Sequence, residues 1–150
     1  MAGLRFNGSV WCNLDIALRK VDEIYKEEVH TLDLTVVEWH ILRELYEEDG
    51  QMATHLAKGI GRPPTSFTPT LDQLVDKGLM RRQFHPSDRR SVLMFLTDKG
   101  QALREPIEKM AVRIEEKLCE QIMSRDWQGF QQVVANFQNL TTEKNGKVPV

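Results

Sequence analysis

The sequence predicts a mainly α-helical protein with one small β-hairpin, and three observations carry that prediction. Apolar residues recur at three- and four-residue spacing through long segments near both ends of the chain. Between those segments lie short helical patterns stopped by glycines. Two strand-like runs follow, Leu79 to Phe84 and Val92 to Leu96, joined by a polar, basic turn.

Composition sets the bounds. A chain of 150 residues, 41% hydrophobic and 28% charged, can bury a core as one globular domain over 1–150. No apolar run approaches the roughly eighteen residues a membrane span needs, so no membrane contact is expected. The N-terminal MAGLRFNGSVW lacks the apolar centre of a secretory signal. Two cysteines, Cys12 and Cys119, are too few for a disulfide scaffold and fit a cytoplasmic protein.

Residues 9–30 read as a long amphipathic helix, with Trp11, Leu14, Leu18, Val21, Tyr25 and Val29 on one face. Its first apolar residues lie where a monomer has little core to cover them, so a partner subunit is expected there. Thr35-Val-Val-Glu38 is a capping box that starts a second helix through about Glu47. Asp49-Gly50 breaks it, and a short third helix spans Met52 to Lys58. A fourth helix has Leu71, Leu74 and Val75 as its buried side. Pro69 suits a first helical turn, which places the start at Ser66–Thr68, and Lys77-Gly78 is its stop. Pro86 to Ser91 form the turn of the hairpin. A long helix over about 98–123 follows, with a bend expected at Pro106 unless the helix starts near it. Ser124 caps a last helix, 125–140, with Trp127, Phe130, Val133, Val134 and Phe137 inward. The tail, 141–150, reads as disordered.

Four helices, a hairpin and two further helices make a winged helix-turn-helix with N- and C-terminal dimerisation helices at 9–30 and 101–140. The DNA-binding lobe would be 34–100. Charge agrees with this reading. The net charge is −2, yet residues 51–100 hold eight Lys/Arg against four Asp, leaving +4 there and −6 elsewhere. The fourth helix offers Thr65, Ser66, Thr68, Thr70 and Gln73, short donors and acceptors able to meet phosphates or base edges. Arg81 and Arg82 alternate on a strand, so at most one faces DNA while the other pairs with an acid. Arg89 and Arg90 at the hairpin turn complete a basic wing. For Thr68, capping of the helix is an equal reading.

These residues resemble the MarR family of winged-helix transcription factors. The matching features are Leu34-Thr35 with Trp39 and Leu42, Leu56-Ala57, Ser66-Phe67-Thr68, Leu74-x-x-x-Gly78-Leu79, Asp88-Arg89-Arg90 and Leu96-Thr97-x-x-Gly100. The resemblance implies a homodimer that places each recognition helix in a major groove of operator DNA and each wing in the adjacent minor groove. It also implies that Asp88 orients a wing arginine and that Arg90 or Arg89 is the inserted residue. A repressor released by a small aromatic effector is the expected function. The effector cavity would be lined by Trp11, Tyr25 and Trp39, for which core packing is the other reading.

A branch of that family, the organic-hydroperoxide regulators called OhrR, senses oxidants through a reactive cysteine in the first helix, to which some members add a resolving cysteine near the end of the fifth helix of the other subunit. Cys12 and Cys119 fall in the corresponding regions, and Tyr25 and Thr68-Pro69 are similar to residues of that branch. Cys12 is one position out of register, no Lys, Arg or His lies within a turn of it, and inert thiols are the other reading. A protein-interaction module that does not bind DNA is a further alternative. His30, His40, His55 and His85 share no ligand spacing, so no metal and no cofactor is expected. No nucleophile–base pair or phosphate loop points to an enzyme.

Overall fold

In a computed structural model the described residues are 3–63, 67–120 and 122–140, with the backbone alone of Arg89. A 3₁₀ turn, Phe6–Gly8, leads into α1 (Val10–His30), followed by α2 (Val36–Glu47), β1 (Gln51–Met52) and α3 (Ala53–Gly59). Then come α4 (Thr68–Asp76), β2 (Met80–His85), β3 (Asp88–Leu96), α5 (Asp98–Ala102), α6 (Arg104–Cys119) and α7 (Ser124–Gln138). The chain divides into two compact units, Met1–Ile114 and Glu115–Val150. The tail 141–150, read above as disordered, lies outside the described residues.

The first unit holds the core. Trp39, Ile41, Leu42 and Leu45 of α2 are buried with Leu56 of α3, Leu71 and Leu74 of α4, and Met80 and Met94 of the strands. From α6, Ile107, Met110 and Ile114 are buried as well. The capping box at the start of α2 is present in both directions. Glu38 N–H donates to Thr35 Oγ1 at 3.2 Å, and Thr35 N–H donates to Glu38 Oε2 at 2.7 Å.

The sheet has three strands in the order β1-β3-β2, all antiparallel. β1 escapes a reading of the sequence because two residues carry no periodicity. Its ends are tied by side chains: Asp49 Oδ1 accepts from Leu96 N–H at 2.9 Å, and Gln51 Nε2 donates to Glu48 O at 2.7 Å. Gly50 makes the turn at φ +80°, a conformation that favours glycine.

Three boundaries differ from expectation. The helix over 98–123 is two helices, broken at Leu103. Pro106 lacks an N–H and crowds the carbonyl four residues back, so it sits in the first turn of a new helix. The strand β3 begins at Asp88 rather than Val92, so the connection shrinks to Pro86-Ser87. A two-stranded ribbon that projects beyond the core is wet on both faces, and polar residues continue its ladder without cost. Ser124 is the first residue of α7 and not its cap; Met123 occupies that position and supplies no side-chain bond.

The second unit shows an uncovered apolar face. No residue of α7 is buried, and Phe130, Val133 and Phe137, expected inward, are exposed. Trp127 and Phe130 stack on each other at 5.4 Å. In the first unit the N-terminal half of α1 is similarly bare: Trp11 is 76% exposed, and Leu14 and Leu18 are also exposed. The second half of α1, through Val29, is where burial begins.

Candidate nucleic-acid interface

The surface that could meet a polyanion is built on α4 and the hairpin, both in the first unit. Phe67, 2% exposed, anchors the start of α4 and occupies the cap position without a side-chain bond. Thr68 is therefore the first helical residue and not the cap, and Pro69 follows in the first turn, where its missing N–H costs nothing. Leu71 and Leu74 point into the core. Thr68, Pro69 and Gln73 lie on the exposed side, while Thr70 is half-buried. Thr65 and Ser66 lie outside the described residues.

The other end of α4 is fastened. Gly78, at φ +70°, closes the helix with Leu79 N–H donating to Leu74 O at 3.0 Å. Lys77 Nζ donates to Asp33 O at 2.6 Å and to Glu38 Oε2 at 2.9 Å, bridging to the start of α2. Lys99 Nζ donates to Lys77 O at 2.7 Å, and Thr97 Oγ1 to Gly78 O at 2.6 Å. Four residues thus fix the helix by its C-terminal end and leave its N-terminal face open.

The hairpin runs in register from Met80↔Leu96 to Phe84↔Val92, then shifts to His85↔Asp88. Even-numbered β2 residues share the face of the buried Met80, and Arg82 on that face pairs with Asp72 of α4. Arg81 takes the opposite face. It stands over the Phe95 ring at 4.8 Å and donates to Gln83 Oε1 at 2.7 Å. So Arg82 is the one of the two that pairs with an acid, on the α4 side, and Arg81 lies on the opposite face of the strand. Strand alternation alone leaves this choice open; only the phase of the strand against the core decides it.

At the tip, Asp88 Oδ1 accepts from Arg90 N–H at 3.0 Å and Asp88 Oδ2 from Ser91 Oγ at 2.7 Å. The Ser91 hydroxyl, followed by the Arg90 amide, holds the Asp88 carboxyl below its ordinary range. Asp88 therefore orients the main chain of Arg90. Among the described residues, the Arg90 guanidinium has no hydrogen-bond or ion-pair partner. Nothing is described of the Arg89 side chain. Behind the hairpin, a cavity of about 410 Å³ is lined by Glu48, Gln51, His55, His85, Asp88 and Ser91, among others.

The remaining expected residues are placed as follows. Tyr25 and Trp39 meet edge to face at 5.2 Å, and Arg43 lies over the Trp39 ring at 5.0 Å. Trp39 is 1% exposed, and its Nε1 is buried without a hydrogen-bond partner. Trp11 does not join them: fourteen residues earlier on the same helix, it is about 21 Å away along the axis. Cys12 is half-buried in the first unit. Cys119 belongs to the second, where desolvation and the Glu115 carboxylate push its thiol pKa up. Among the described residues, no three His, Cys, Asp or Glu side chains gather as a metal site, and no helix is long and apolar enough to cross a membrane. Reading the sequence missed Phe84, taken there as an ordinary strand residue; it is 67% exposed.

Residues 34–92 match the MarR family. Among solved structures, the transcriptional repressor CouR bound to a 23-mer DNA duplex is similar at 28% identity and a TM-score of 0.83. That match covers 92% of this chain and all of CouR. BpsR of Bordetella bronchiseptica, whose DNA binding is regulated by 6-hydroxynicotinic acid, has the same fold at 18% identity and a TM-score of 0.85. It covers 93% of this chain and 100% of BpsR. Apo wild-type MarR from E. coli shares the fold at 22% identity and a TM-score of 0.73, over 85% of this chain and 96% of that one.

Proposed function

Residues 34–92 are a MarR-family segment, and from that premise we propose that this chain is a sequence-specific DNA-binding transcriptional regulator. The observation that carries the reading is the coupling of α4 to the hairpin. The exposed N-terminal face of α4 and a wing bearing the unpaired Arg90 are linked through Asp72 and Arg82 into one unit. A helix can read base edges in a major groove while the ribbon beside it reaches the next minor groove. The likeness to CouR, solved on a DNA duplex, supports the same reading.

In this proposal Thr65, Ser66, Thr68, Thr70 and Gln73 meet bases and phosphates, and Arg89 and Arg90 enter the minor groove with Asp88 holding the turn. Arg82 is held by Asp72, which leaves Arg81 as the strand arginine without an acid partner among the described residues. The chain acts as a homodimer, which the bare apolar faces of α1 and α7 support, since such residues seldom stay exposed in a monomer. Its operator is pseudo-palindromic, with half-sites about one helical turn apart. A small-molecule effector releases it by favouring a dimer whose recognition helices are wrongly spaced. The Tyr25–Trp39 contact, with its unpartnered indole N–H, is the place to look for that effector. Oxidant sensing finds less support, because no Lys, Arg or His lies within a helical turn of Cys12 to favour its thiolate. No catalytic role is proposed.

Titration of the protein against a duplex from its own upstream region, across a salt series and against unrelated competitor DNA, tests the proposal. Tight, sequence-selective binding that weakens with salt is expected. Equal binding to every duplex, or none, would overturn it.

A further inference from the structure

We infer that Phe84 is a DNA-contacting residue of the wing, an apolar side chain set against the groove wall beside the wing's cations. This rests on the DNA-binding reading above.

The face decides which way Phe84 points. Met80 is buried, and along β2 from Met80 the even-numbered residues share one side of the ribbon. Arg82, two residues on, reaches Asp72 of α4 from that side. Phe84, two further, therefore projects from the same side as the recognition helix, opposite Val92 in register. The core ends before it, and among the described residues the side chain is left 67% exposed.

An exposed ring there does little for the fold. Leaving a large apolar side chain in water forgoes most of what its burial would contribute, and a ribbon wet on both sides does not need it. What surrounds it favours one occupant. Arg82, paired with Asp72, lies two residues before it, and Arg90, with no described partner, lies two residues from its cross-strand neighbour Val92. A ring beside guanidinium groups fits a surface that is anionic at its edges and apolar between them. Duplex DNA has that pattern, with phosphates flanking deoxyribose walls and base-step edges, and apolar wedges beside cations are a common means of gripping a minor groove. An apolar protein surface would leave the Arg90 charge uncompensated on burial.

The experiment compares wild type, Phe84→Ala and Phe84→Leu on a short duplex selected by the wild-type protein from a random-sequence pool, over a salt series. Phe84→Ala should weaken binding about tenfold with the slope of log affinity against log salt unchanged, because an apolar contact displaces no counterions. Phe84→Leu should recover most of the loss. Circular dichroism and sedimentation should match wild type for both variants, since the side chain is mostly in water. Binding by Phe84→Ala within twofold of wild type would overturn the inference while leaving the DNA-binding reading intact. A change in sedimentation without a change in DNA affinity would overturn it in favour of a second copy of the chain as the occupant. Absence of salt-dependent DNA binding in the wild type would remove both.

Discussion

Lys77 Nζ lies 2.9 Å from Oε2 of Glu38, a carboxylate with 0% exposure whose other oxygen, Oε1, is buried without a hydrogen-bond partner. Lys77 thus joins the C-terminal end of α4 to the N-terminus of α2, where Glu38 also closes the capping box. The ammonium is the main compensation for a carboxylate withdrawn from water. Removing one member of such a pair is far worse than never having built it.

Lys77→Met should therefore lower unfolding free energy by about 3 kcal/mol, the low end for breaking a buried pair, because Lys77 itself is partly exposed. Chemical denaturation with an unchanged m-value would register it. Replacing both partners, with Glu38→Gln added, should recover part of the loss. A loss that simply adds would show that the two side chains are not coupled.

Tyr46 donates its hydroxyl to Gly100 O at 2.8 Å, joining α2 to α5. Burial is the main cause that raises its pKa from 10.0 to about 12, with Arg104 opposing and Glu108 adding. The folded protein holds this proton more tightly than the unfolded chain. Its contribution is therefore complete below pH 10 and is lost as pH rises towards 12. Tyr46→Phe should cost about 1–2 kcal/mol at neutral pH by leaving the Gly100 carbonyl unpaired. It should also make the decline above pH 10 shallower, and parallel curves for the two proteins would refute the assignment.

Arg90→Ala tests the wing. If its guanidinium enters a groove or neutralises a phosphate, the substitution should weaken operator binding and reduce the salt slope by roughly one. Phe84→Ala keeps the slope, so the two variants separate charge from apolar contact. An unchanged slope for Arg90→Ala would take Arg90 out of the interface.

Leu18→Glu tests the homodimer. Leu18 is exposed in the single chain, so a charge there should leave the fold of the protomer intact. If a second copy covers this face, the charge would be buried unpaired. The variant should sediment as a monomer at concentrations where wild type is a dimer, and should lose operator affinity with it. Unchanged sedimentation would mean that the face is covered by something else or by nothing.

Much of the candidate interface was legible in local signals. The Thr35–Glu38 capping box, the Gly78 stop and Pro69 in the first turn each follow from hydrogen-bonding and steric rules that act within a few residues. They placed α4 and β2 nearly to the residue, while β3 begins four residues earlier than expected. Less legible were features that depend on what packs where. The two-residue β1 has no periodicity to detect, and the break at Leu103 depends on whether a proline kinks a helix or restarts it.

The sequence by itself determined the kind and order of the elements and the basic character of the middle third, because spacing, caps and charge are properties of neighbouring residues. The tertiary structure alone decided that Arg82 and not Arg81 turns towards α4, that Asp88 holds the Arg90 main chain, and that Phe84 is bare. Periodicity shows that two faces of a strand or helix differ. Which face meets the core, and where the core runs out, depends on the elements packed against it.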